Sequence, residues 1–132
     1  MPVILVSDDD AASQDALVET LRRLFPRARV LAVRGDIEPE LIGRERADLV
    51  LASLAAAERL CRSGAPSGVS VVALTREMSP DTLLRAEALG MAGALRAPVG
   101  AEQLAMALGS MLDLHGGSPS RGEGTIGSMN AW

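Results

Sequence analysis

The stretch Val3-Ile4-Leu5-Val6-Ser7-Asp8-Asp9-Asp10 decides the fold. Its first four residues are apolar without alternation, as in a strand buried on both faces of a parallel sheet. The acidic triplet ends that strand abruptly. A helix is expected next, from about Ala11 to Leu24, because Leu17, Val18, Leu21, Leu24 and Phe25 recur at helical spacing until Pro26 stops them.

The same unit repeats outward from this stretch, without internal sequence repetition. Arg29 to Val33 reads as a second strand, broken by Gly35-Asp36, with Pro39 opening a helix that carries Leu41 and Ile42. Asp48 to Ser53 reads as a third strand and Leu54 to Arg62 as a short helix closed by Gly64. Val69 to Thr75 is a fourth strand. Ser79-Pro80-Asp81 supplies a capping hydroxyl, a proline at the first helical position and an acid near the positive helix end, so a helix is expected to about Leu89. Ala92 to Arg96 is a weaker fifth strand. A last helix runs from about Ala101 to Leu114, with Leu104, Leu108, Met111 and Leu112 inward. Five such alternations imply a parallel sheet covered on both faces. A single domain is expected over 1–114, and a flexible Gly/Ser-rich tail over 115–132.

With 132 residues, the chain is long enough for one domain with a real core. Aromatics make up only 2%, so that core is aliphatic. A net charge of -4 argues against direct nucleic-acid binding. All 13 Lys-or-Arg positions are Arg, which excludes lysine chemistry within the chain. The lone Cys61 forms no intrachain disulfide and reads as a small buried hydrophobe. No segment is long and apolar enough to span a bilayer, and no cationic leader is present, so a cytoplasmic location without membrane contact is expected. His115 is the only histidine; a Ser53–His115 pair lacks a third member and a nucleophile elbow, so hydrolase chemistry has no support and the chain is expected not to be an enzyme.

Taken together, residues 2 to 114 resemble the receiver domain of bacterial two-component response regulators. The resemblance rests on Ile4–Asp10, Asp48–Leu51, Val71–Thr75, Leu89–Leu95 and Ala97-Pro98-Val99, in that order and spacing. It implies a flavodoxin-like doubly wound sheet of five parallel strands, order 2-1-3-4-5, with helices on both faces. It also implies a cis peptide before Pro98. The acidic pair of the family, which binds Mg²⁺, matches Asp8 and Asp9, with Asp9 as the candidate ligand; an acidic turn at this place also caps the following helix. The family's switch hydroxyl matches Thr75.

The departures all fall around one site. The family's phosphoacceptor aspartate aligns with Ser53, a hydroxyl that is a poor nucleophile unless a base activates it. The family's lysine aligns with Ala97, and its aromatic switch partner with Ala94. Arg76 stands where the family has a small residue, either reaching the acidic pair or pointing into solvent. Only 22 positions separate Ser53 from Thr75, shorter than the family's usual connection.

These losses point to a degenerate pseudo-receiver with no cofactor, signalling in two-component or transcriptional regulation through phosphorylation-independent protein contacts. The resemblance places its interaction surface, or a homodimer contact, on helix four, strand five and helix five. Arg85, Glu87, Arg96 and Glu102 would form the charged rim there, and Leu84, Met91 and Met106 the apolar contacts. Two readings stay open beside it: a phosphorylatable receiver with a non-standard acceptor, and a small-ligand or metal sensor at the strand carboxyl ends. A Gly-rich phosphate loop after strand one is absent, which disfavours nucleotides.

Overall fold

Five strands and five helices alternate along the computed structural model, which describes residues 1–66 and 68–116. They are β1 (Val3–Ser7), α1 (Ala11–Leu24), β2 (Arg29–Ala32), α2 (Pro39–Glu45), β3 (Leu49–Ser53), α3 (Leu54–Ser63), β4 (Ser70–Thr75), α4 (Pro80–Ala88), β5 (Gly93–Arg96) and α5 (Ala101–Gly116). All neighbouring strands pair in parallel, in the order β2-β1-β3-β4-β5. This is the doubly wound flavodoxin-like topology that the resemblance implies. The expected tail begins inside the last turn of α5 and otherwise lies outside the described residues.

Each layer of helices covers one face of the sheet. Ile4, Val6, Leu49, Leu51, Val72 and Leu95 point to α1 and α5, where Leu17, Leu21, Leu104, Leu108 and Met111 meet them. Leu5, Val50, Val71 and Ala73 point the other way, to Ile42 of α2, Ala57 and Leu60 of α3, and Ala86 of α4. β1 and β3 are buried at every position, which explains why each is apolar up to its final serine. Fully burying each such side chain contributes about 1.5–3 kcal/mol. Cys61 is partly buried against the second layer, and burial pushes its thiol pKa up, away from the reactive thiolate.

Helix ends follow the sequence signals. Asp10 caps α1 by accepting the Ser13 N–H at 2.9 Å, and Ser79 caps α4 by accepting the Thr82 N–H at 3.2 Å. Gly90 follows α4 with φ +82°, donating to the Glu87 carbonyl at 3.0 Å while Met91 donates to the Ala86 carbonyl at 2.9 Å. This closure folds the residue after the glycine back against the helix. Met91 is therefore buried with Ala86 in the core, which corrects its placement among the apolar surface contacts.

Candidate functional site

The strand order reverses at β1, so the carboxyl ends of β1 and β3 flank the crevice where doubly wound sheets bind ligands. Register brings the expected residues to this place. Ser7 lies opposite Ala52, so Asp8 and Asp9 emerge beside Ser53. Ser53 lies opposite Leu74, and Thr75 opposite Arg96, so Arg76 and Ala97 follow on the same rim. A cleft of about 520 Å³ opens there, lined by Asp8, Asp9, Asp10, Ser53, Thr75, Arg76, Glu77 and Ala97 among others.

Within the cleft Asp8, Asp9, Asp10, Ser53 and Thr75 are tied to each other or to local backbone. Ser53 is buried, and its hydroxyl donates to Asp9 Oδ1 at 3.3 Å. It is the last residue of β3 and also the residue before α3, where its side chain makes no capping bond. The strand thus enters the helix without a loop. Asp8 Oδ1 accepts the Asp10 N–H at 3.0 Å, and the Asp8 N–H donates to Gln14 Oε1 at 2.9 Å. Gln14 is itself buried and its amide reaches the Val33 carbonyl at 3.3 Å. Hydrogen bonds from the Ser13 side chain and backbone hold the Asp10 carboxyl below its ordinary pKa, with a smaller pull from the Arg76 charge.

Thr75 Oγ1 donates to the Glu77 carbonyl at 3.0 Å and accepts the Glu77 N–H at 3.3 Å, closing its own turn. Arg76 is exposed along the rim of the cleft and forms no ion pair with Asp8 or Asp9. Ala97 presents only a methyl group, and the Ala97–Pro98 peptide is cis as the resemblance implies. Among the described residues no group of three or more His, Cys, Asp or Glu is placed to hold a metal ion. Asp8 and Asp9 each commit an oxygen to a protein donor, and Ser53 offers a neutral hydroxyl where a carboxylate would complete the set. A Mg²⁺ ion is held through one or two carboxylates and several waters, so Asp8 and Asp9 would have to hold it here without a third carboxylate.

On the face of α4, β5 and α5, Leu84 and Met106 are 64% and 79% exposed, and Glu87, Arg96 and Glu102 are exposed as well. Arg85 is exposed too, but it is tied to a neighbouring helix. Its guanidinium turns to α3, where Nη2 meets Glu58 Oε2 at 2.6 Å, and Glu58 is buried at 8% exposure. The sequence reading missed Glu58, although a glutamate on the inner stripe of a short apolar helix signals a required cation. No described helix is long and apolar enough to cross a membrane.

The fold is that of response-regulator receiver domains. The signal receiver domain of a DNA-binding response regulator from Colwellia psychrerythraea 34H matches with a TM-score of 0.68 and 22% identity, over 86% of this chain and 99% of that one. A proposed pilus assembly protein from Burkholderia thailandensis E264 matches with a TM-score of 0.63 and 24% identity, over 86% and 99%. A proposed pilus assembly-related protein from Burkholderia pseudomallei K96243 matches with a TM-score of 0.63 and 25% identity, over 84% and 89%. The sequence matches no protein-family model and no curated protein.

Proposed function

We propose that this chain is a pseudo-receiver: a non-enzymatic signalling module that works through protein contacts and is not phosphorylated. The observation that carries the reading is the Ser53–Asp9 hydrogen bond at 3.3 Å, in a cleft with no lysine. The position that would take a phosphoryl group bears a hydroxyl, and the nearby carboxylate accepts its proton's hydrogen bond. A phosphoryl group there would sit among Asp8, Asp9, Asp10 and Glu77 with Arg76 as the cleft's one cation among the described residues. Like charges lining one cleft disfavour a further anion.

Docking through α4, β5 and α5 is supported by the exposed Leu84 and Met106 with Glu87, Arg96 and Glu102 around them. Arg85 is exposed beside them and also clamps α4 onto α3 through Glu58. A second reading is favoured by the two pilus-related neighbours: the partner belongs to an assembly apparatus rather than a transcriptional pathway. Both readings share the unphosphorylated cleft.

Titration with beryllofluoride and Mg²⁺, followed by amide NMR, tests the proposal. The expected spectra are unchanged around residues 8–10, 53 and 75–77. A saturable, local response at those amides contradicts it.

A further inference from the structure

We propose that the corner formed by the ends of α1 and α2 and the start of β2 binds the acidic end of a second copy of this chain, head to tail. Arg22, Arg23, Arg27, Arg29, Arg44 and Arg46 are all exposed there, against Glu19, Glu45 and the part-buried Asp48, which accepts the Val3 N–H at 2.8 Å, among the described residues. Glu45 is shared between Arg29 at 3.2 Å and Arg44 at 3.9 Å, and Glu19 meets Arg23 at 3.8 Å. Arg27 and Arg46 pair with no carboxylate among the described residues. Arg22 donates to the Val30 carbonyl of the outer strand β2 at 3.0 Å. That bond occupies one outward backbone acceptor of the strand edge and sets a cation across it.

Arg46 adds an independent sign. It ends α2 with φ +56°, and Arg46 and Ala47 donate to the Gly43 and Ile42 carbonyls at 3.3 and 3.0 Å. Glycine is the favoured residue at such a helix end, because a side chain there is strained. Helix-dipole complementarity explains Arg22, Arg23 and Arg44 in the last turns. It explains neither the strained Arg46 nor Arg27 and Arg29, which lie outside the helices.

The complementary surface is on the same chain. In a parallel sheet all carboxyl ends lie together, about 17 Å from the amino ends for a five-residue strand. Asp8, Asp9, Asp10 and Glu77 gather at that far end, with Arg76 among them. Two basic corners repel, and so do two acidic ends, so opposite signs meet only in a heterologous contact. Such a contact builds rings or open filaments rather than a two-fold dimer. A nucleic acid or anionic membrane would meet the same corner, but the net charge of -4 opposes both.

Sedimentation velocity on the full chain decides the matter. At an ionic strength of about 0.01 M the weight-average mass should rise with concentration. The association constant should fall at least about tenfold by ~0.15 M, as the Debye length contracts from ~30 Å to ~8 Å. Arg27→Glu/Arg44→Glu blocks one end and Asp9→Asn/Glu77→Arg the other. Each variant alone should be monomeric, and their mixture should stop at a dimer. Arg46→Gly should weaken association while leaving Tm unchanged or raised, and Leu84→Glu should leave association intact. A wild-type chain that stays monomeric at ~0.01 M, or association that survives both double variants, overturns the proposal. So does a monomeric chain whose basic corner binds DNA or anionic vesicles instead.

Discussion

Two junctions in this molecule start alike and end differently. β1 and β3 are neighbouring strands, each five residues long and buried throughout, and each feeds a helix. After β1 the chain spends Asp8, Asp9 and Asp10 on a turn. Asp10 caps α1, Asp8 braces the turn, and Asp9 stands exposed at the cleft. After β3 there is no turn: Ser53 ends the strand and Leu54 begins α3. Ala56 and Ala57, both buried, let the helix lie close to the sheet directly behind Ser53. The first junction displays carboxylates, whereas the second closes over a hydroxyl. The turn's own hydrogen bonds give Asp8 and Asp10 a structural role whether or not the cleft takes a phosphoryl group.

The comparison can be broken or sharpened by substitution. Leu5→Ala and Leu51→Ala remove fully buried side chains from equivalent strands that face opposite layers. Each should cost about 2–5 kcal/mol in denaturant unfolding. A clear inequality would show that the two junctions differ down into their strands.

Ser53→Asp should come next, costing about 1–3 kcal/mol, because a second carboxylate then lies at the buried rim beside Asp9. The folded-state pKa of the new carboxyl is raised, so the loss is present at neutral pH and is relieved as pH falls through that value. Adding Asp9→Asn should recover much of the loss, a coupling that a double-mutant cycle measures. If the single variant is as stable as the wild type, the rim accommodates charge and the like-charge argument fails.

The smallest effect belongs to the turn. Asp10 has a depressed folded-state pKa, so its contribution is complete above the ordinary carboxylate value and is lost as pH falls through the depressed one. Asp10→Asn keeps the capping oxygen and should remove only this acid-dependent part of the Tm profile. Asp10→Ala should lower Tm slightly at neutral pH as well. Equal Tm values for Ala and Asn at neutral pH would mean that the cap contributes nothing.

Local signals made most of the fold readable in the sequence. Buried strands have no polar alternation, α1 occupies the span its apolar spacing marks, and Ser79-Pro80-Asp81 starts α4 where a cap, a proline and an acid require it. The closeness of Ser53 to Asp9 was legible only as an alignment of positions; the hydrogen bond joins residues 44 apart. Arg85 illustrates what local pattern cannot give. A helix period says that residue 85 is off the core stripe, but its choice of Glu58 depends on how α3 and α4 pack. Met91 was readable in principle, since an apolar residue after a helix-ending glycine usually returns to the helix. Thr75 shows the reverse hazard: it matches a family position, yet its hydroxyl serves its own turn.

The central claim is that the cleft as a whole, and not one residue, has left phosphorylation chemistry behind. Intact-mass spectrometry of Ser53→Asp after incubation with acetyl phosphate and Mg²⁺ tests it most directly. No added mass is expected, because Ala97 supplies no cation and β3 still enters α3 without a loop. A stoichiometric gain of one phosphoryl group, lost again in hydroxylamine, would contradict the account.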